Sequence, residues 1–103
     1  MNNSGSITLV GAGPGDPELI TIKAIKAIES ASIIFYDALI SPALLNYNSK
    51  AEKIFVGKRS GGIQTSQTSI NQLIVNHALK GETVVRIKGG DPLIFGRASE
   101  ELE

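Results

Sequence analysis

Three groups of residues in this chain have the types and spacing for chemistry, and each follows a short apolar run. Asp37 comes after Ile33-Ile34-Phe35-Tyr36, and Lys58 and Arg59 follow Lys53-Ile54-Phe55-Val56-Gly57. Gly89-Gly90-Asp91-Pro92 follows Val84-Val85-Arg86-Ile87-Lys88. A carboxylate at a strand end can serve as a general base if it faces a crevice. The same residue is also suited to an N-cap or a solvated turn. A lysine can donate a proton where burial or neighbouring cations lower its pKa, and both cations can bind carboxylates. Two consecutive glycines let a backbone approach a ligand that a Cβ would hold off. Gly-Gly-Asp-Pro is equally good turn chemistry, so a binding loop and a plain turn both remain open.

These groups can act together only if the intervening elements bring them to one place. Met1 to Gly5 is polar and reads as a frayed end. Ser6 to Val10 reads as a first strand running into Gly11-Ala12-Gly13-Pro14-Gly15-Asp16-Pro17. Thr21 can cap a helix over residues 22–30, with Ile22, Ile25 and Ile28 interleaved with Ala24 and Ala27 as one apolar stripe. Residues 32–36 form a second strand. Ser41-Pro42 then opens a capped helix with proline in its first turn, and residues 53–56 form a third strand. After the polar segment 60–67 the pattern predicts a helix over 69–80, with Ile70, Leu73, Ile74 and His77 on one side and Gly81 as its stop. His77 is read there as a surface or boundary residue. Residues 83–88 form a fourth strand, and Ser99-Glu100-Glu101-Leu102 has the composition of a helix opening.

Strands alternating with helices imply α/β architecture: βαβ units and a parallel sheet with right-handed crossovers. The C-terminal ends of parallel strands open on one edge, where ligands of such sheets sit. The segment 11–15, Asp37, Lys58-Arg59 and Gly89 to Asp91 all fall on that edge.

Composition narrows the chemistry. The chain has 103 residues, no cysteine and one histidine. Disulfides, thiolate sites and cysteine nucleophiles are therefore excluded, and no metal site is expected. Ten basic and ten acidic residues cancel, which argues against nucleic acid or another polyanionic partner. No stretch approaches a membrane span or a signal-peptide core, so a cytoplasmic chain is expected. Five of the ten basic residues (Lys58, Arg59, Arg86, Lys88 and Arg97) nonetheless fall near the same edge. Such a field suits a small substrate rich in carboxylates or phosphates. The first glycine loop is no dinucleotide fingerprint, because Asp16 stands where the third glycine belongs and Pro14 removes an amide. No Gly-Lys-Ser/Thr follows, which excludes a phosphate loop.

Taken together, five segments resemble the uroporphyrinogen-III C-methyltransferase branch of the tetrapyrrole methylases. They are residues 10–19 (Val-Gly-Ala-Gly-Pro-Gly-Asp-Pro-Glu-Leu), Tyr36 to Ser41, Val56 to Arg59, Gln67 with Ile70-Asn71, and Arg86 to Arg97. The resemblance covers nearly the whole chain. It implies a two-domain α/β enzyme, usually dimeric, of which residues 1–103 are the N-terminal domain, truncated and lacking the C-terminal domain. The implied reaction transfers methyl groups from S-adenosylmethionine to two pyrrole carbons of uroporphyrinogen III, giving precorrin-2 and S-adenosylhomocysteine. Precorrin-2 leads on to sirohaem or cobalamin. By position, Pro14, Gly89, Gly90, Asp91 and Ile94 would contact the cofactor. Asp37 would be the proton acceptor, Lys58 the proton donor, and Arg59 and Arg97 substrate or structural cations.

The departures are Ala38 where many relatives have arginine, Ile63 where histidine is common, and Ala98-Ser99 in place of a glycine pair. They bear on substrate contacts more than on the cofactor loop. Three rival readings are a methylase of a later precorrin, a dinucleotide-binding oxidoreductase module with Asp37 on a ribose, and a non-catalytic folding or dimerisation domain. Without the second domain, the chain is expected to bind S-adenosylmethionine weakly and to turn over little.

Overall fold

In a computed structural model of the chain, residues 5–13, 20–57, 67–89 and 94–97 are described, with Gly13, Gln67 and 94–97 as backbone only. The fold is built outward from the strand that the sequence makes most apolar. That strand is β4 (Thr83–Gly89), in which Val84, Val85 and Ile87 are fully buried. It lies between β1 (Ser6–Gly13) and β2 (Ile33–Tyr36), parallel to both. β3 (Glu52–Phe55) extends the sheet beyond β2, again parallel. A fifth strand, β5 (Ile94–Arg97), pairs antiparallel with the other side of β1, giving the order β3-β2-β4-β1-β5.

The four parallel strands are those the sequence predicts, and β5 is an addition. Four residues interrupted by Gly96 carry no readable alternation; what makes them a strand is the open edge of β1. β1 also continues through the glycines to Gly13, three residues past the predicted end, with its register shifting between Gly11 and Gly13.

Side chains alternate across the sheet and divide the core in two. On one face Val10, Ile34, Val85 and Ile87 pack against Ala24 and Ile28 of α1 (Ile22–Ser30). Thr21 caps α1 as predicted, its hydroxyl accepting the Ala24 N–H at 3.1 Å. Ile22 does not join the expected stripe and is 72% exposed, because it lies about 200° around the helix from Ala24. On the other face Ile7, Ile33, Phe35 and Val84 meet Ile70, Ile74 and Ala78 of α2 (Gln67–Leu79). These three recur every four residues, which leaves Leu73 at the margin, 40% exposed. Gly81, at φ 92°, ends α2. Its N–H bonds the Ala78 carbonyl and the Glu82 N–H bonds that of His77, the paired closure that a left-handed glycine permits. His77 is the boundary residue expected, edge-on to Phe35 and bonded to Glu82.

The predicted helix after Ser41 is instead a 3-10 helix, Pro42–Tyr47, with the Ser41 hydroxyl accepting the Ala43 N–H. It delivers Asn48, a buried side chain that the sequence reading did not single out. The Asn48 amide donates to the carbonyls of Ile28, Glu29 and Ala31, and its oxygen accepts the N–H groups of Lys50 and Ala51. One side chain thus satisfies the last carbonyls of α1, which that helix cannot satisfy itself, and fixes the approach to β3.

Candidate functional site

The chain leaving β1 travels toward β2, whereas β5 places the chain leaving β4 on the opposite side of β1. The crevice of an open α/β sheet forms where connections diverge in this way, here between the C-terminal ends of β1 and β4. Gly13 pairs with Gly89 and Gly11 with Ile94 at this point. Three strand ends therefore meet where the sequence places its glycines. A cavity of about 380 Å³ also lies beside α1, lined by Ser6, Thr8, Lys23, Lys26 and Thr83. It sits beneath the opposite halves of the strands, away from Asp37, and shares no residue with this edge.

Asp37, immediately after β2, is the organising side chain. One carboxylate oxygen, Oδ1, accepts the Leu39 N–H at 2.9 Å, closing a local turn. The other, Oδ2, accepts the Gly89 N–H at 3.2 Å across 52 positions of sequence. The guanidinium Nη1 of Arg86 stands 3.9 Å from Oδ2 and donates to the Ile87 carbonyl at 3.0 Å. Hydrogen bonds to a carboxylate are stronger than neutral ones, so Asp37 ties the end of β2 to the end of β4. The turn and general-base readings of Asp37 are compatible, since each oxygen retains a lone pair.

Two glycines let the turn sit close over its neighbours. A Cβ on Gly89 would come within 2.5 Å of the Leu39 carbonyl carbon and 2.6 Å of the Ile40 nitrogen. A Cβ on Gly57 would meet the Phe55 ring at 2.7 Å and the Ala38 nitrogen at 3.0 Å. The sequence reading assigns Gly89 to close approach of a ligand, but the close approach described here is to the chain itself. Leu39 projects from the rim, 72% exposed.

Arg86 corrects one part of the expected basic crevice. Its side chain is buried, 6% exposed, and spent on Ile87 and Asp37 rather than offered to solvent. The sequence signal was available: a lone cation inside Val-Val-Arg-Ile, at a central strand position, needs a buried partner. Of the other expected site residues, Asp37 and Gly89 come together as described and Ile94 pairs with Gly11 at the edge, whereas Arg97 pairs with Thr8, away from the expected edge, because β5 runs antiparallel and carries its last residue back along β1. Pro14, Lys58, Arg59, Gly90 and Asp91 lie outside the described residues. Among the described residues no cluster of His, Asp or Glu could hold a metal ion, and no helix is long and apolar enough to cross a membrane.

Known proteins resemble this chain in sequence and fold. The chain is 57% identical over 100 residues to a uroporphyrinogen-III C-methyltransferase of Methanocaldococcus jannaschii, covering 96% of this chain and 41% of the relative. It is 52% identical over 104 residues to a siroheme synthase of Psychrobacter cryohalolentis, covering all of this chain and 20% of that protein. The crystal structure of uroporphyrin-III-C-methyltransferase from Thermus thermophilus superposes with a TM-score of 0.72 at 34% identity, over 90% of this chain and 38% of the other. A complex of the Thermus thermophilus enzyme with S-adenyl homocysteine matches at 0.66 and 40% identity, over 87% and 35%. The chain thus spans less than half the length of each of these proteins. Residues 6–103 match the family of Tetrapyrrole (Corrin/Porphyrin) Methylases, and the chain belongs to that family.

Proposed function

We propose that this chain carries the N-terminal half-site of an S-adenosylmethionine-dependent methyltransferase acting on two pyrrole carbons of uroporphyrinogen III. The observation that carries the reading is the meeting of Gly11 to Gly13, Asp37 and Gly89 at the divergence point of the sheet, in a chain 57% identical to a protein of that name. The rival dinucleotide reading is weaker, because Asp16 stands where its fingerprint needs a third glycine and Pro14 removes an amide donor from the turn. A later precorrin is a weaker fit, because relatives identical to this chain at about half of the aligned positions carry the uroporphyrinogen or siroheme names.

The glycine-rich ends of β1 and β4, paired at Gly13 and Gly89, support placing the cofactor at this edge. When bound, S-adenosylmethionine supplies a methyl group on a sulfonium, an electrophile that needs placement more than activation. Pro14, Gly89, Gly90, Asp91 and Ile94 are assigned to hold it, and Arg59 to receive the substrate's acidic side chains. Asp37 is assigned to take the proton released as the methylated ring system returns to neutrality, and Lys58 to donate one. Residues 1–103 act as the N-terminal domain of a longer cytoplasmic homodimer in which a second domain completes the cleft, with no nucleic-acid partner.

Calorimetric titration of the chain with S-adenosylhomocysteine, repeated with Asp91→Ala, tests the half-site. Weak, saturable binding that the substitution abolishes is expected. Absence of binding, or binding indifferent to Asp91→Ala, would overturn it.

A further inference from the structure

We infer that Asp37 is a positioning residue for the glycine loop, holding Gly89 in place, and that Arg86 positions Asp37 in turn. This goes beyond the proton-accepting role assigned above and rests on the family's cofactor reading only for its consequence in affinity. The geometry itself is independent of any ligand. The Gly89 N–H is the last donor of β4 before Gly90-Asp91, and it donates to Asp37 Oδ2 at 3.2 Å. The same carboxylate closes its own turn through Leu39 N–H, so the segment Asp37 to Ile40 and the end of β4 move as one piece. Gly89 seals the joint, because any Cβ there would strike the Leu39–Ile40 backbone. Arg86 lies beneath, fixed by its bond to the Ile87 carbonyl and facing Asp37 Oδ2 at 3.9 Å. A buried cation held in this way favours one placement of the carboxylate over all others.

The consequence is a coupling between the Asp37 turn and the Gly89 end of β4. A change at Asp37 disturbs the loop that starts at Gly89, so it alters ligand affinity as well as any proton step. A residue that serves only as a base would leave affinity intact and lower the rate alone.

The test is amide hydrogen exchange of Gly89 by NMR in the chain and in Asp37→Ala, Asp37→Asn, Arg86→Leu and Arg86→Lys. The core amides of Phe35 and Val85 report whether each variant is folded. In the parent the Gly89 amide is expected to be protected. Asp37→Ala and Asp37→Asn should each speed its exchange by about tenfold or more, the weight of one hydrogen bond to a charged acceptor. The Asn variant fails too, because the oxygen that keeps the Leu39 bond turns an NH2 group toward Gly89. Arg86→Leu should weaken protection and Arg86→Lys restore part of it. An unprotected parent amide, or one unchanged in folded Asp37→Ala, overturns the inference. S-adenosylhomocysteine titration of the same variants reads the consequence: affinity should fall with Asp37→Asn. A parent that binds no S-adenosylhomocysteine would refute the cofactor reading while the exchange result still judges the clamp.

Discussion

Replacing Gly89 by alanine separates two explanations of why that glycine is there. Its φ is not positive, since Gly81 is the positive-φ glycine among the described residues. Alanine therefore meets no backbone objection at position 89, and the obstacle is steric alone. The added Cβ would lie 2.5 Å from the Leu39 carbonyl carbon, 2.6 Å from the Ile40 nitrogen and 2.8 Å from the Leu39 Cβ. Two of these are backbone atoms in a turn held by Asp37, so they cannot rotate aside. Relief requires the turn and the strand end to part by most of an ångström. That separation lengthens the 3.2 Å bond from Gly89 N–H to Asp37 beyond hydrogen-bond range. Overpacking of this kind costs about 1–3 kcal/mol, and a lost bond to a charged acceptor about 1.5–3 kcal/mol. Alanine returns about 0.4–1 kcal/mol by stiffening the unfolded chain. The net expectation is a loss of about 2–4 kcal/mol, a large fraction of the total for a domain of this size.

Urea denaturation followed by circular dichroism reads that loss as a lower midpoint. In a thermal scan it corresponds to a fall of about 10–25 °C. If Gly89→Ala is as stable as the parent but loses affinity for S-adenosylhomocysteine, the glycine serves the ligand and the packing argument is refuted. If stability and affinity fall together, the glycine serves the chain first and the ligand through it.

Two further substitutions test how the scaffold is fastened. Asn48→Ala strands the Ala31 carbonyl and the Ala51 N–H in a buried setting, while the Ile28 carbonyl keeps the Ala31 N–H, at about 1–3 kcal/mol for each group left unpaired. A loss of about 3–5 kcal/mol in urea unfolding is expected, with Asn48→Asp worse at neutral pH because it turns a donor into an acceptor facing three carbonyls; a loss below about 1 kcal/mol would show that water replaces the side chain. Thr21→Ala removes the oxygen that accepts the Ala24 N–H and should cost about 1 kcal/mol in the same assay, with Thr21→Ser recovering most of it.

What was legible in the sequence follows from the range of the interactions involved. The α1 cap, the Gly81 stop and the four parallel strands are dictated within a few residues of chain, by Thr21, by a left-handed glycine and by β-branched runs. β5 was not legible because its cause is the unpaired edge of β1, nearly ninety positions earlier in the chain. Asn48 was hidden for a similar reason: its partners in α1 lie 17 to 20 residues before it.

Asp37 shows the same divide within one side chain. Its turn, closed two residues away on Leu39, follows from local chemistry, and the general-base alternative from its place at a strand end. The bond to Gly89, 52 residues on, follows from neither. The strand pairing supplies it: Tyr36 is level with Ile87, so the residue after Tyr36 must stand beside Lys88 and Gly89. A carboxylate placed there will find the N–H of whatever strand end lies next to it. In this sheet that strand end is Gly89, which is how a turn residue comes to fasten the end of β4.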